Sequence, residues 1–234
     1  MNYVISDIHG CYNQFVDLLN QIQLKESDIL YVLGDVVDRG PHPIKTLLKL
    51  MEMPNAICLI GNHEFMAIDG LRFLNTQITT ESVDSIDEKM MGKLIDWQRN
   101  GNETTIEEFK QLDQEMRQEV LSFIMEFSLY EELTVNGQKY LLVHSGLGKC
   151  RPGKSIEDYS LKNLIWDRAD YNTQYFKDTI VISGHTPTQF IDGNPNPGRI
   201  YKHMNNIAID CGCFIPGGRL AAICLETGEE FYSS

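Results

Sequence analysis

The sequence is poor in positive charge and in long apolar runs. Its 20 Lys and Arg residues are outnumbered by 33 Asp and Glu residues, which gives a formal net charge of -13 at pH 7. A basic patch for the phosphates of a nucleic acid polymer is therefore not expected, and an acidic surface is repelled by anionic membranes. No segment approaches the ~18 consecutive apolar residues that span a bilayer, and no basic leader precedes the first strand-like run. We expect a cytoplasmic protein that binds neither nucleic acid polymers nor membranes.

Cysteine is present but lacks the spacing of a structural site. The six cysteines contain no Cys-x-x-Cys pair and lie at Cys11, Cys58, Cys150, Cys211, Cys213 and Cys224. This spacing argues against a zinc site built from thiolates and against a disulfide framework, so we expect reduced and mostly packed thiols. With 234 residues, of which 42% are hydrophobic, the chain can form a substantial core, and we predict a single domain over residues 1–234.

Short β-type runs alternate with helical periodicity in the first sixty residues. Apolar residues recur at i, i+3, i+4 and i+7 from Phe15 to Ile22 and from Ile44 to Met51, which predicts two amphipathic helices. Strand-like runs lie around them at residues 3–5, 29–33 and 56–60. The order β-α-β-α-β predicts an α/β fold.

The chain is then helical from about residue 64 to residue 127, and this segment is interpreted as an insertion into the α/β fold. A loop is predicted at residues 99–102, followed by one longer helix over residues 106–127. Strand-like runs resume at residues 129–135, 139–143, 179–182, 207–210, 220–225 and 230–232. The first two are joined by Asn136-Gly137, which predicts a tight hairpin turn.

Five of the strand-like runs end in residue types that bind metal ions. In chain order, these runs are followed by Asp7 and His9, Asp35 and Asp38, Asn62 and His63, His144, and His185. The loops at the carboxyl ends of strands in open α/β sheets converge on one crevice, so side chains distant in sequence can meet there. Any one of these motifs could be a surface turn, a helix cap or a hydrogen-bonded core histidine. Four of the six histidines nevertheless fall at strand ends beside Gly or Ser, which packing alone does not explain.

The five motifs are Ser6-Asp7-Ile8-His9-Gly10, Gly34-Asp35-Val36-Val37-Asp38-Arg39-Gly40, Gly61-Asn62-His63-Glu64, His144-Ser145-Gly146 and Gly184-His185-Thr186. Together they resemble the signature of the phosphoprotein phosphatase family within the calcineurin-like metallophosphoesterases, in particular its small bacterial and phage-type branch. The resemblance implies a fold of two mixed β-sheets sandwiched between helices, with a helical insertion around residues 64–127. Ser6 is one departure, because the family usually has Gly there, but it removes no ligand.

The resemblance also implies a two-metal centre. It assigns Asp7, His9 and Asp35 to a first ion, and Asp35, Asn62, His144 and His185 to a second, with Asp35 bridging. Carboxylate oxygens and imidazole nitrogens suit manganese, which is the expected metal, with iron or zinc as alternatives. A hydroxide that bridges the two ions would attack phosphorus in line with the departing oxygen.

The same resemblance assigns roles to four further side chains. His63 is predicted to be the general acid that protonates the leaving oxygen, and Asp38 is predicted to orient it and to stabilise its charge. Arg39 and Arg168 are predicted to bind the phosphate oxygens of the substrate. For Arg168, a surface ion pair with a neighbouring aspartate is the alternative.

The leading hypothesis is a phosphoprotein phosphatase that acts on phosphorylated Ser or Thr, or on a small phosphoester. A symmetrical dinucleoside-tetraphosphate hydrolase of the same fold is the nearest alternative, but it characteristically has Asp in place of Glu64 and lacks Asp38. A catalytically silent scaffold that binds proteins is disfavoured, because every expected ligand and His63 are present. The role of Glu64 stays open, and Trp97 and Trp166 are interpreted as packed aromatic side chains.

Overall fold

The computed structural model describes residues 1–76, 87–148 and 152–234. Cys150 and part of the predicted helical insertion lie outside these residues, and the single domain over residues 1–234 stays a prediction. The α-helices of the described chain are α1 (Tyr12–Ile22), α2 (Pro43–Met51), α3 (Asn62–Asn75), α4 (Glu88–Arg99), α5 (Glu103–Gln111), α6 (Gln114–Met125) and α7 (Leu161–Ile165). The strands are β1 (Asn2–Ile5), β2 (Ile29–Val32), β3 (Ala56–Cys58), β4 (Tyr130–Val135), β5 (Gln138–Val143), β6 (Thr179–Ser183), β7 (Tyr201–His203), β8 (Asn206–Ala208), β9 (Ala221–Cys224) and β10 (Glu230–Tyr232).

The strands form two mixed sheets. The first has the order β10-β9-β1-β2-β3, in which β1, β2 and β3 are parallel and β9 and β10 are antiparallel to their neighbours. The second has the order β4-β5-β6-β8-β7, with a parallel centre of β5, β6 and β8 between two antiparallel edge strands. Each sheet therefore presents the carboxyl ends of three parallel strands at one edge.

The alternation of side chains along the strands places one core between the sheets and one on each outer face. In β1, Tyr3 and Ile5 pack with the helices, whereas Val4 joins the core between the sheets. In β5, Leu142 points into that same shared core, and Leu141 packs on the opposite face. This layering confirms the predicted α/β fold of two mixed sheets sandwiched between helices.

The helical insertion differs from the prediction at one point. The predicted single helix over residues 106–127 is wrong, because it is two helices, α5 and α6, separated at Leu112 and Asp113. Leu112 has an extended backbone, and the Asp113 carboxylate accepts a hydrogen bond from Met116 N at 2.8 Å, which caps α6. The apolar spacing continues across the break, so a prediction from periodicity alone gives one helix instead of two.

Two short elements were not predicted, and the cysteines and the hairpin are as expected. The edge strand β7 lacks a recognisable apolar pattern. Leu161, Leu164 and Ile165 follow helical spacing in α7, but this helix has only five residues. Asn136 and Gly137 both have positive φ (51° and 82°), as a tight hairpin turn of this type requires. The five cysteines in the described part of the chain are free thiols. None of its helices is both long and apolar enough to cross a membrane.

Gly34 lies in the loop that follows β2 and packs closely against the loop that follows β3. Its φ is +85°, and a Cβ atom at this position would lie 2.5 Å from Gly61 N. Left-handed strain and overpacking each cost about 1–3 kcal/mol. We therefore expect Gly34→Ala to lower the free energy of unfolding, measured by denaturant titration, by about 2–5 kcal/mol.

Gly137→Ala is the matched control, because Gly137 has nearly the same φ (+82°) but no neighbouring atom within 4 Å of the place that a Cβ would occupy. Only the left-handed penalty of about 1–2 kcal/mol applies there. Equal losses of stability in the two variants would contradict a close packing of the two loops at Gly34.

Candidate metal centre and active site

The predicted ligands lie together at the carboxyl ends of the parallel strands of both sheets. The loops that follow β1, β2, β3, β5 and β6 supply Asp7 and His9, Asp35, Asn62, His144 and His185, respectively. All of these side chains are buried, except that His185 is half-buried. Two sheets packed face to face thus bring six side chains from five loops into one place.

Two groups of potential ligand atoms share the Asp35 carboxylate. The ligand atoms of His9, Asp35 and His63 lie within 4.8 Å of one another, and so do those of Asp35, His144 and His185. This arrangement places Asp35 between two groups, as a bridging ligand would be. His63 belongs geometrically to the first group, although the family resemblance assigns it the role of general acid.

Asn62 and Asp7 lie at the margins of these groups. The Asn62 Oδ1 atom is 3.0 Å from His144 Nε2, which places it beside the second group. The Asp7 carboxylate accepts hydrogen bonds from His185 N at 2.9 and 3.1 Å, and its Oδ2 also bonds the Ser6 hydroxyl. Asp7 is in contact with the loop of the second group, and it is not part of either three-residue group of the described chain.

Backbone carbonyls fix the orientation of two imidazoles. His9 Nδ1 lies 2.9 Å from Val37 O, and His144 Nδ1 lies 2.6 Å from Leu33 O. A carbonyl can only accept, so Nδ1 is the protonated nitrogen in both rings. The Nε2 lone pairs therefore point towards the carboxylates of the centre, which is how protein contacts prepare a histidine to bind a metal.

The charges at the centre fit a bound cation. Burial, together with the nearby Asp7 and Glu64 carboxylates, raises the pKa of Asp35 well above its ordinary value. Burial likewise lowers the pKa of His9 well below its ordinary value and that of His185 to about 3, so both rings are neutral, as metal ligands must be. Buried carboxylates beside neutral imidazoles need compensating positive charge, and the donor set is one that divalent ions fill.

His63 is paired with Asp38 at the start of α3. Its Nδ1 lies 2.7 Å from Asp38 Oδ2, and both side chains are fully buried. Its Nε2 lies 4.0 Å from Asp35 Oδ2 and has no hydrogen-bond partner in the described chain. Burial lowers the pKa of His63 well below its ordinary value and raises the pKa of Asp38 to about 7. The ring therefore presents one free nitrogen to the centre.

The two predicted phosphate-binding arginines differ in how they are held. The exposed Arg39 donates from Nη1 to His9 Nε2 at 2.8 Å, and its guanidinium lies over the ring of Phe214 at 4.5 Å from the ring centroid. Arg168 is exposed, and its charge is near enough to His185 to contribute to the lowered pKa of that ring. The aspartate before it, Asp167, bonds Lys162 and Asn163.

Glu64, whose role the sequence left open, binds the backbone of two loops. Its carboxylate accepts hydrogen bonds from the N–H groups of Asp35 (2.8 Å), Val36 (2.7 Å), Val37 (3.2 Å) and Gly61 (2.9 Å). The side chain is 0% exposed. Glu64 therefore fixes the loop that carries Asp35 against the loop that carries Asn62 and does not face a substrate.

Asp210 is a buried carboxylate near Asp7 that was not predicted as a site residue. It follows β8, the third parallel strand of the second sheet, and is 2% exposed. Burial and the negative charge of Asp7 raise its pKa well above the ordinary value. The sequence does hold a signal, because Asp210 ends a strand-like run in the same way as Asp7 and Asp35.

Trp166 differs from its expected packed state, because 38% of it is exposed. It meets Phe65 edge to face, with ring centroids 6.2 Å apart. Both line a cavity of about 310 Å³ between α3 and α4. This cavity opens on the helix whose first turn carries His63.

The backbone of the centre is strained. Ten residues other than glycine have positive φ in the described chain, and six of them are predicted site residues: Asp7, His9, Asp35, Asp38, Arg39 and His185. Such conformations are sparsely populated and cluster at functional sites.

Two curated proteins are similar to this chain over nearly its whole length. The bis(5'-nucleosyl)-tetraphosphatase PrpE [asymmetrical] of Anoxybacillus flavithermus is 26% identical, over 94% of this chain and 88% of its own length. The serine/threonine-protein phosphatase 2 of Salmonella typhimurium is 27% identical, over 92% of this chain and 88% of its own.

Solved structures share the fold. The crystal structure of a candidate diadenosine tetraphosphatase superposes with a TM-score of 0.68 at 17% identity, over 99% of this chain and 91% of that one. The family model for calcineurin-like phosphoesterases matches residues 3–220, which include every predicted ligand. The chain therefore belongs to the calcineurin-like phosphoesterase family.

Proposed function

We propose that the protein is a two-metal phosphomonoesterase that removes phosphate from Ser and Thr side chains of proteins. One observation carries the proposal. The buried His63 is held by Asp38 at 2.7 Å and presents an Nε2 atom without a hydrogen-bond partner in the described chain towards Asp35, the carboxylate shared by the two ligand groups. A proton donor so placed beside a metal centre suits the cleavage of a phosphate ester.

The residues proposed to hold the first ion are Asp7, His9 and Asp35, and those proposed for the second are Asp35, Asn62, His144 and His185. Manganese is the proposed metal, with iron or zinc as alternatives. When bound, two such ions supply Lewis-acid activation of a water molecule and neutralise charge on the phosphate. The chain itself contributes the orientation of the ligands, through the carbonyls of Val37 and Leu33.

His63 would deliver the proton in this reaction. The pKa of Asp38 is raised to about 7, so the Asp38–His63 pair can hold its second proton near neutral pH although burial lowers the pKa of His63 itself. In the pair so protonated, Nδ1 is bonded to Asp38, and Nε2–H donates to the leaving oxygen as the phosphorus–oxygen bond breaks. His63 ends as a neutral ring with its proton on Nδ1. Arg39 and Arg168 would bind the non-bridging phosphate oxygens. Arg39 bonds the His9 Nε2 atom that a metal ion would take, so binding of the ion would release its guanidinium for the phosphate.

The need for a proton favours an alkyl phosphate as substrate. The alkoxide of serine or threonine is a strong base and leaves poorly without a proton, whereas a phosphate leaving group, with a second pKa of about 6, leaves readily as an anion. The presence of Glu64 and Asp38 supported the same choice at the level of sequence. Both carboxylates are fully buried and do not contact the substrate. They support a phosphatase only because they are typical of the phosphatase branch of the family.

Dinucleoside-tetraphosphate hydrolysis is the second candidate. The sequence had suggested the symmetrical type as the alternative. The tetraphosphatases that match nearly the whole chain are asymmetrical, whereas a symmetrical one matches 47% of it. The cytoplasmic location and the absence of nucleic acid polymers and membranes from its partners stay expectations from charge and composition.

Removal of metal gives the first test of the proposed function. We expect the purified protein to hydrolyse para-nitrophenyl phosphate with added manganese and to lose this activity on chelation, because the substrate phosphate would no longer be activated. Release of para-nitrophenol measures both states. Activity that survives complete removal of metal would contradict the mechanism.

The role of His63 predicts a loss that depends on the leaving group. His63→Asn should lower kcat on phosphoserine peptides by roughly 10²–10⁴, and less on para-nitrophenyl phosphate, whose leaving group needs little protonation. Steady-state kinetics on both substrates measure the ratio. Equal losses would rule out His63 as general acid.

A comparison of kcat/KM on several phosphorylated substrates tests the choice between the two substrate classes. We expect kcat/KM to be at least ~10-fold higher on phosphoserine and phosphothreonine peptides than on diadenosine tetraphosphate, a difference of about 1.4 kcal/mol. Phosphotyrosine peptides complete the set. The opposite order would replace the leading proposal by the second candidate.

A further inference from the structure

The loop of Asp38 and Arg39 is contacted by a segment far away in sequence. Both residues have left-handed backbones, with φ of 70° and 67°. That segment runs from the last turn of α4 to the first turn of α5. It bonds the loop through Trp97, Gly101 and Thr105, and we call these three residues the Asp38 clamp. Gly101 supplies a carbonyl that accepts from Arg39 N at 2.8 Å.

Thr105 uses its hydroxyl in two directions. It donates to Asp38 Oδ1 at 2.7 Å and accepts from Asp38 N at 3.0 Å. Thr105 is 0% exposed, so water does not compete for these bonds. One side chain therefore fixes both the backbone and the carboxylate of Asp38.

Trp97 fixes the other carboxylate oxygen. Its Nε1–H, which can only donate, bonds Asp38 Oδ2 at 2.9 Å. The indole is 1% exposed, and it packs so closely on α3 that a Cβ atom at Gly70 would overlap its ring. The position of the indole is thus set by the packing of α4 on α3.

These contacts determine what Asp38 can offer to His63. Oδ2 is shared by His63 Nδ1 and Trp97 Nε1, and Oδ1 is occupied by Thr105. The carboxyl group cannot rotate without breaking at least one of these bonds. Trp97 and Thr105, which belong to the helical insertion, therefore fix the plane of the Asp38 carboxylate. The orientation of this carboxylate in turn sets the direction of His63 Nε2.

We propose that Trp97 and Thr105 are positioning residues that hold the Asp38–His63 pair in the geometry for proton delivery. The inference rests on the proposed role of His63 as general acid. It gives the helical insertion a part in catalysis, in addition to its packing, because α4 and α5 carry the groups that orient the acid. Neither residue touches the substrate, so their loss should act on proton delivery and leave binding unchanged.

Two variants test the inference. Trp97→Phe removes the indole N–H together with part of the buried ring, and Thr105→Val removes the hydroxyl at nearly constant volume. Each is expected to lower kcat on phosphoserine peptides by about 10–100-fold, as is typical when a residue that orients a side chain of a metal site is lost. The loss on para-nitrophenyl phosphate should be smaller, and KM should stay within about twofold of its original value.

Conservative and structural controls accompany them. Thr105→Ser keeps the hydroxyl and should retain near-normal kcat. Thr46→Val removes another fully buried threonine hydroxyl, which donates to His42 O at 2.7 Å away from the centre, and should leave the ratio of the two substrates unchanged. If Trp97→Phe does not fold, the comparison of Thr105→Val with Thr105→Ser still tests whether the hydroxyl positions the Asp38–His63 pair.

His63→Asn is measured in parallel to separate the two levels of the proposal. A loss selective for phosphoserine in His63→Asn, but equal losses on both substrates in Trp97→Phe and Thr105→Val, would overturn the inference and leave the proposed function intact. Equal losses in His63→Asn itself would overturn both.

Nuclear magnetic resonance gives a readout that does not depend on activity. The indole N–H resonance of Trp97 should shift in Asp38→Asn, while that of Trp166 serves as the internal reference. An unchanged Trp97 resonance would contradict the hydrogen bond.

Discussion

The buried carboxylate of Glu64 holds the centre together. It accepts from four backbone N–H groups, three in the loop after β2 and one in the loop after β3. Burial raises the pKa of Glu64, and the amide hydrogen bonds that its carboxylate accepts offset part of that rise. Because Asp35, Asp38 and Asn62 all lie on these two loops, Glu64 helps to set the separation between the ligand groups and the proton donor.

Around that anchor, the centre is oriented mainly by backbone and by distant helices. Val37 O and Leu33 O set the rings of His9 and His144, and the Asp38 clamp sets the partner of His63. None of these groups has to contact the alcohol or nucleotide that carries the phosphate. A cavity lies outside this buried shell, between α3, α4 and the segment around Trp166.

The sequence predicted most of the strands and the residues at their ends, because apolar runs and the residue types that follow them are local patterns. The pairing of the strands into two sheets came from the family resemblance. What local patterns could not reveal were contacts across long separations, such as Trp97 with Asp38, 59 residues apart. The break at Leu112 was missed because apolar spacing continues through it, and Asp210 was missed although its strand-end position matched that of Asp7.

Six site residues have left-handed backbone angles, which residues other than glycine adopt only at a cost. At these positions the backbone would favour glycine, whereas the chemistry of the centre requires a functional side chain. Glycine would relax each of these positions, yet glycine carries no ligand atom, no carboxylate and no guanidinium. Sequence changes selected for stability alone would therefore remove the functional groups of this centre before they altered the core. Optimisation for folding alone would replace Asp7, His9 or Asp35 first. The resulting protein would lose the groups of its metal centre while it became more resistant to denaturation.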